Sequence, residues 1–209
     1  MGSSASREYA EGFGVEDQAL TTARGRSEEF GCEPVTPAAG NALRFLAAAL
    51  DARAVVEVGT GAGVSGLWLL AGMRADGILT SVDTEAEHQR AAKQGFRDAA
   101  IASTRTRLIN GAALEVLPRL TDGAYDLVFV DGPKGQYVDC LDEALRLLRP
   151  GGVVVFAGAL GRGRVGESSA RDPETVALRD VTKAVREHEQ LVPTLIPLGE
   201  GLLAAVHRP

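Results

Sequence analysis

Short apolar segments alternate with segments of helical composition through the middle of the chain, and this alternation constrains the fold more than any other feature. The apolar segments predict strands at 54–58, 78–83, 106–109, 125–131 and 152–156. Helices are predicted between them at 64–74, 84–100, 113–117 and 137–148. Thr84 and Glu87 form a T-x-x-E capping-box pattern at the start of the second of these helices. Such alternation predicts a doubly wound α/β fold, with a mostly parallel sheet covered by helices on both faces.

The flanking segments extend this core at both ends. Helices are predicted before it at 15–29 and 38–50, and Asp172-Pro173, an N-cap followed by proline, starts another that runs to about Glu189. LVPTLIPL and GLLAAVHR, separated by GEG, predict a C-terminal antiparallel hairpin, which brings the sheet to seven strands. Residues 15–209 form one predicted domain, and the polar segment 1–14 is predicted to be flexible.

Composition and charge exclude several classes of protein. With 209 residues, a net charge of −6 and no long stripe of Lys and Arg, the chain is not expected to bind nucleic acid. No apolar run approaches the roughly 20 residues of a bilayer span, so no membrane partner is expected. The start, MGSSASREYAEG, lacks the basic and apolar regions of a secretory signal, which predicts a cytoplasmic location. No zinc site is expected, because no ligand spacing relates Cys32, Cys140, His88, His188 and His207.

The stretch VVEVGTGAGVSG, residues 55–66, fits two cofactor-binding patterns. From Gly61 it matches GxGxxG, the loop of a dinucleotide site, and from Glu57 it matches ExGxGxG, the loop of an S-adenosylmethionine site. In an open α/β sheet either cofactor would lie beyond the carboxyl ends of the strands. Asp83, at the end of the second strand, could bind ribose hydroxyls in both cases. The glycines and Asp83 therefore do not distinguish the two cofactors.

Three other features favour S-adenosylmethionine. Glu57 would point toward the pyrophosphate of a dinucleotide, with repulsion on the order of 4 kcal/mol, whereas S-adenosylmethionine carries an ammonium and a sulfonium. The dinucleotide pattern that begins directly after the strand lacks its third glycine, because Val64 stands there. Asp131 ends the fourth strand and Lys134 lies in the next turn, a pair suited to methyl transfer to a hydroxyl. Three acidic residues, Glu57, Asp83 and Asp131, thus meet at one rim of the sheet.

These motifs resemble the class I S-adenosylmethionine-dependent O-methyltransferases of the catechol and caffeoyl-CoA type, particularly small bacterial members. The resemblance covers about 19–207 and rests on PVTPAAG, VVEVGTGAGVSGLWLL, GILTSVD, GAALEVLPRL, YDLVFVDGPKGQY and LRPGGVVV, in this order. It implies a Rossmann-like methyltransferase fold, S-adenosylmethionine as cofactor, a small-molecule hydroxyl acceptor that could be phenolic, and a homodimer.

The resemblance also implies a role for each matching residue. Val35 and Thr36 would close over the cofactor, and Glu57 would bind its ammonium. Gly59 and Thr60 would approach it through their backbone, and Gly61 of the same loop is also a predicted cofactor-binding residue. Ser65 would bind its carboxylate at a helix start. Asp83 would hold the ribose hydroxyls. Ala112 would offer its N–H to adenine, although it could equally be a small residue at a helix start.

At the end of the fifth strand the chain departs from the family. Metal-dependent members carry an Asp-Asn pair there, which joins the fourth-strand aspartate around a divalent ion, whereas this chain has Ala157 and Gly158. Asp131 alone is a poor ligand set for Mg²⁺, which prefers six oxygens. The sequence therefore predicts no metal of the family's usual kind.

Asp131 and Lys134 are the predicted catalytic residues. Asp131 would orient the acceptor, and Lys134 would act either as a base or as a charged group that stabilises the developing oxyanion. Tyr137 is interpreted as a packing residue at a helix start. Arg162 and Arg164 are interpreted as members of a solvated loop, with binding of an acidic group of the substrate as the alternative. Two alternatives stay open: a protein that binds S-adenosylmethionine without catalysis, and a nicotinamide-dependent oxidoreductase.

Overall fold

The computed structural model describes residues 3–209 and contains eight α-helices and seven strands in that range. The helices are α1 Ser3–Glu11, α2 Gln18–Glu29, α3 Pro37–Ala49, α4 Val64–Gly72, α5 Ala86–Asp98, α6 Ala113–Val116, α7 Tyr137–Leu147 and α8 Pro173–Glu187. The strands are β1 Ala54–Val58, β2 Ile78–Asp83, β3 Thr106–Asn110, β4 Tyr125–Val130, β5 Leu148–Ala157, β6 Leu191–Ile196 and β7 Leu202–His207.

The seven strands form one sheet in the order β3-β2-β1-β4-β5-β7-β6. The first five strands in this order pair in parallel, and β7 pairs antiparallel with both β5 and β6. The predicted α/β fold with a C-terminal antiparallel hairpin is confirmed. Because the chain reverses its direction of strand addition at β1, the carboxyl ends of β1, β2 and β4 lie side by side, where such sheets bind ligands.

Apolar side chains fill both faces of the sheet, as expected for buried parallel strands. One core packs α2, α3, α4 and α5 against the sheet, and the other packs α7 and α8. Trp68 lies in the first core with 1% of its surface exposed. A Cβ atom at Gly40 would lie 2.3 Å from the Trp68 indole, so α3 requires glycine there to approach α4.

The start of α5 differs from the prediction because a local hydrogen bond replaces the predicted helix cap. The capping-box interpretation of Thr84 and Glu87 is wrong: α5 begins at Ala86, its N-cap residue is Glu85, and no side chain caps it. The Asp83 carboxylate accepts the Glu85 N–H at 2.9 Å and so forms a turn of its own. The N-cap of α8 is Asp172 as predicted, with a 3.0 Å bond from the Thr175 N–H.

The N-terminal segment that the sequence predicts to be flexible contains α1, while residues 1 and 2 lie outside the described residues. Glu11 at the end of α1 accepts hydrogen bonds from the Thr36 hydroxyl at 2.9 Å and from the Gly199 N–H at 2.6 Å. The flexibility of this segment stays a prediction. Among residues 3–209 there is no helix with the length and apolar character that crossing a bilayer requires.

Candidate functional site

The glycine loop connects β1 to α4 at the rim where three strands end. Gly59 has a φ of 91°, and a Cβ atom there would lie 2.3 Å from the backbone oxygen of Asp131. Only glycine allows the end of β1 to pass this close to the end of β4. The Gly59 N–H donates to the Val82 carbonyl at 2.8 Å, which ties the loop to β2 as well.

Glu57 lies in β1 directly beneath this loop, with none of its surface exposed. Its two carboxylate oxygens accept hydrogen bonds from the hydroxyls of Ser65 and Ser81, both at 2.6 Å. The pKa of the Glu57 carboxyl is raised to about 7, mainly by burial; the hydrogen bonds from Ser65 and Ser81 oppose this rise, and the charges of Asp131 and Asp83 add to it. A nearby cation would favour the ionised form of this carboxyl.

Asp83, at the end of β2, is held by backbone donors. Its Oδ2 accepts the Gly61 N–H at 3.0 Å, and its Oδ1 accepts the Glu85 N–H at 2.9 Å. These bonds fix the carboxylate at the rim of the sheet and leave lone pairs for further donors. The geometry suits a carboxylate that receives hydroxyl groups from a ligand.

A cavity of about 370 Å³, the loop cavity, opens beside the glycine loop. Its volume is within the usual range for small-molecule sites. Most of the predicted site residues line it: Val35, Gly59, Thr60, Gly61, Ser65, Asp83, Ala112 and Asp131. Glu57 is not among the lining residues, but Ser65, which donates to it, is. Thr36 does not line the loop cavity; it lines a separate cavity beyond the ends of β4 and β5, which is described below.

Cys32 and His88 also line the loop cavity, and the sequence did not indicate that they meet. The Cys32 Sγ lies 3.3 Å from His88 Nε2, and His88 Nδ1 lies 3.6 Å from Asp83 Oδ2. Burial, and to a lesser extent the Asp83 charge, raise the pKa of the Cys32 thiol, so the protonated thiol is favoured as donor to the imidazole. Because 56 residues separate Cys32 from His88, no local spacing could have shown the contact.

Lys134 follows β4 and bonds to two groups. Its Nζ donates to Asp131 Oδ1 at 3.1 Å and to the Tyr137 hydroxyl at 2.6 Å. Tyr137 is fully buried and donates its own proton to the Ala157 carbonyl at 3.0 Å. Desolvation by burial, with a smaller contribution from the Asp131 charge, raises the pKa of Tyr137 well above its ordinary value, so the phenol stays neutral. The interpretation of Tyr137 as a packing residue therefore missed its bond to Lys134.

A second cavity of about 520 Å³, the strand-end cavity, lies beyond the ends of β4 and β5. It contains Lys134, Ala157 and Gly158, and it shares Asp131 with the loop cavity. Arg162 and Arg164 line it too, and both are largely exposed, as the solvated-loop interpretation requires. Each also pairs with a carboxylate, Arg162 with Glu33 and Arg164 with Asp172.

The residues at this point do not fit the divalent ion of the metal-dependent relatives. Asp131 offers a carboxylate, but one of its oxygens is bonded to Lys134. Ala157 and Gly158 carry no oxygen ligands in their side chains, and the Ala157 carbonyl accepts the Tyr137 hydroxyl. Across residues 3–209, three or more His, Cys, Asp or Glu side chains are nowhere grouped to hold a metal ion. An octahedral oxygen cage would need ligands that these residues do not supply.

Comparison with known proteins relates this arrangement to one family. The model of a family described as O-methyltransferase matches residues 18–208. A Mycolicibacterium smegmatis protein named as an O-methyltransferase is 54% identical over 199 residues, which cover 95% of this chain and 94% of the relative. A crystal structure from Corynebacterium glutamicum is 33% identical with a TM-score of 0.90, and 98% and 96% of the two chains are covered. The O-methyltransferase TomG from Streptomyces achromogenes, solved in complex with SAM, is 27% identical with a TM-score of 0.88, and the match covers 98% of this chain and 96% of TomG.

Proposed function

The chain belongs to the O-methyltransferase family, and from this premise we propose that it transfers the methyl group of S-adenosylmethionine to a hydroxyl oxygen of a small molecule. One observation carries the proposal: Asp131 lines both the loop cavity and the strand-end cavity, so that a ligand in each would meet at this residue. The comparisons favour neither the non-catalytic nor the nicotinamide-dependent alternative. A phenolic hydroxyl is the proposed acceptor group.

In this proposal the methyl donor occupies the loop cavity. Its ribose hydroxyls donate to Asp83, whose carboxylate the loop already holds in place. Its ammonium is attracted by the buried charge of Glu57, and its carboxylate is bound by Ser65 at the start of α4. Val35 covers the donor, Gly59, Thr60 and Gly61 contact it through their backbone, and the Ala112 N–H serves the adenine.

The acceptor occupies the strand-end cavity with its hydroxyl between Asp131 and Lys134. Asp131 accepts the hydrogen bond of the hydroxyl and orients its oxygen toward the methyl carbon. As the new O–CH₃ bond forms, the S–CH₃ bond breaks, the sulfonium becomes a neutral thioether, and the acceptor proton passes to solvent. A phenol has a pKa near 10, so its oxygen needs a partner as negative charge develops on it. In this proposal the Lys134 side chain, which pairs with Asp131, stabilises that oxyanion.

Two measurements test the proposal. Calorimetry with S-adenosylmethionine, S-adenosylhomocysteine and NAD should show binding of the first two only, and binding of NAD alone would refute it. Turnover is then measured on a panel of phenols and hydroxycinnamoyl compounds with Asp131→Asn and Lys134→Met as variants. Each variant should lower kcat by a factor of about 10²–10⁴ while leaving S-adenosylhomocysteine binding intact. A chain that binds the cofactor and methylates none of the panel would support the non-catalytic alternative.

A cytoplasmic location, a homodimer and a single domain at 15–209 complete the proposal. Cys32 and Cys140 are both free, which is typical of a reducing compartment. Large apolar side chains are exposed near the N-terminal helices, Phe13 and Phe45 at 69% each, and a subunit contact would cover them. Light scattering should give twice the mass of one chain, and cell fractionation should find the protein in the cytosol.

A further inference from the structure

The Lys134 ammonium lies in a socket formed by Asp131, Tyr137, Ala157 and Gly158, here called the ammonium socket. Two of its three N–H donors are used inside the socket, one on a carboxylate and one on the Tyr137 phenol. Its nitrogen lies 4.8 Å from the centroid of the Tyr137 ring. Because Tyr137 is fully buried and anchored to the Ala157 carbonyl, the phenol oxygen is a fixed acceptor that defines where the ammonium rests.

Gly158 leaves the room that the ammonium occupies. A Cβ atom at this position would lie 3.3 Å from both Nζ and Cε of Lys134, closer than ordinary van der Waals contact. Gly158 also has a φ of 68°, a backbone conformation that is energetically unfavourable for any residue with a side chain. An asparagine at 158, as in the metal-dependent relatives, would therefore press against the lysine. The socket and the metal pair compete for the same end of β5.

We propose that the Lys134 ammonium is the resident cation of the strand-end cavity, in the place where relatives hold a divalent ion, and that Tyr137 and Gly158 are its positioning residues. This inference rests on the proposed methyl transfer and deepens it. The ammonium supplies one positive charge at the acceptor oxygen, whereas Tyr137 and Gly158 act only through the lysine.

The number of free donors sets the class of acceptor. A lysine ammonium has three N–H groups, and two are engaged in the socket, so one remains for a single acceptor oxygen. A divalent ion has several coordination positions and can bind both oxygens of a vicinal diol at once. One hydroxyl therefore suffices for an acceptor at this site, and a second hydroxyl beside it adds no affinity.

The first experiment uses the wild-type protein and matched acceptors. A catechol and the corresponding monophenol are compared with EDTA and with added Mg²⁺, and Mn²⁺ binding is followed by electron paramagnetic resonance. We expect values of kcat/KM for the two acceptors within about fivefold of each other, no change with EDTA, and no bound Mn²⁺. Turnover that requires both a vicinal diol and Mg²⁺, or Mn²⁺ binding that Asp131→Asn abolishes, would overturn the inference and leave methyl transfer standing.

The second experiment removes the positioning groups. Tyr137→Phe should lower kcat by roughly tenfold to a hundredfold, with the Kd for S-adenosylhomocysteine within about twofold of wild type. Tyr125→Phe is the matched control, because Tyr125 opens β4 at the opposite end from Asp131. Gly158→Ala provides a second variant that leaves the phenol intact and should lower kcat in the same way.

The outcomes separate the two levels of the proposal. If Tyr137→Phe folds and behaves like Tyr125→Phe, with kcat unchanged, Tyr137 does not position the lysine and the inference fails. If wild-type protein binds no S-adenosylmethionine and methylates nothing, it is the proposed function itself that fails.

Discussion

Replacing Glu57 by glutamine should stabilise the cofactor-free protein while weakening cofactor binding. The Glu57 carboxyl has a pKa of about 7 in the folded chain against an ordinary 4.5, mainly because it is buried. The folded state therefore holds this proton more tightly than the unfolded state, and its stability falls as the pH rises from about 4.5 to about 7. Each tenfold difference in proton affinity is worth about 1.4 kcal/mol, so the full loss is about 3 kcal/mol.

Glutamine has no charge to desolvate and can keep both hydrogen bonds. Its oxygen accepts from one serine, and its amide donates to the other, because the Ser81 hydroxyl can reverse its bond with the Thr60 hydroxyl, 2.7 Å away. We expect Glu57→Gln to be more stable than wild type by less than about 1 kcal/mol at pH 5 and by about 3 kcal/mol at pH 8. Urea unfolding at the two pH values measures both differences.

The same carboxyl should make cofactor binding depend on pH. The ammonium of S-adenosylhomocysteine selects the ionised form of Glu57, and at pH 6 only about a tenth of the free protein has that form. Affinity should therefore fall about tenfold between pH 8 and pH 6 in wild type and change little in Glu57→Gln. Glu187→Gln, at an exposed position at the end of α8, controls for the change in net charge. A stability difference that is equal at both pH values would refute the reasoning.

Three further predictions concern the frame of the site. Gly59→Ala should lower stability by about 1–3 kcal/mol and abolish S-adenosylhomocysteine binding, because its Cβ would collide with the end of β4 at a positive φ; thermal unfolding and calorimetry measure both effects. Asp126→Asn should lower the free energy of unfolding by about 1–3 kcal/mol at pH 7. The Asp126 carboxylate accepts hydrogen bonds from two backbone N–H groups at the start of β1 and from the Arg149 guanidinium. Although burial opposes it, these bonds lower the Asp126 pKa, so its contribution should disappear as the pH falls below about 4. Glu33→Gln removes the charge of an exposed ion pair and should leave the unfolding temperature unchanged, because exposed pairs contribute little to stability. It should raise the acceptor KM, because the pair holds a segment that lines the strand-end cavity.

Each of these predictions has an outcome that contradicts it. A Gly59→Ala protein that binds S-adenosylhomocysteine as wild type does would show that the loop can move away from β4. An Asp126→Asn effect of the same size at pH 7 and pH 3 would assign the loss to packing instead of to charge. For Glu33→Gln, a lower unfolding temperature together with an unchanged KM would show that the ion pair stabilises the fold and does not contribute to acceptor binding.

The fold could be predicted because its signals are local. A buried parallel strand needs mostly apolar residues, and β1, β2 and β4 each show such a segment with an acidic residue close to its carboxyl end: Glu57, Asp83 and Asp131. The confirmed Asp172 cap of α8 depends only on adjacent residues. The Thr84 cap failed because Asp83, which ends β2, uses its carboxylate for a turn that displaces the helix start.

The contacts within the site could be predicted only in part. The sequence placed three acidic residues at one rim, but it could not show that Glu57 lies under the cavity wall while Thr36 faces the other cavity. The approach of Cys32 to His88 and the use of the Ala157 carbonyl by Tyr137 depend on how distant elements pack. No periodicity or spacing records such contacts.

The short segment of Glu33, Pro34 and Val35 lines both cavities and so forms a partition between them. Any displacement of this partition enlarges one chamber at the expense of the other, and Glu33 joins it to the β5–α8 loop through Arg162. A ligand that fixes the partition in one position also sets the shape that the second ligand meets, which makes the two binding equilibria reciprocal. The Kd measured for either ligand then depends on whether the other cavity holds its own ligand.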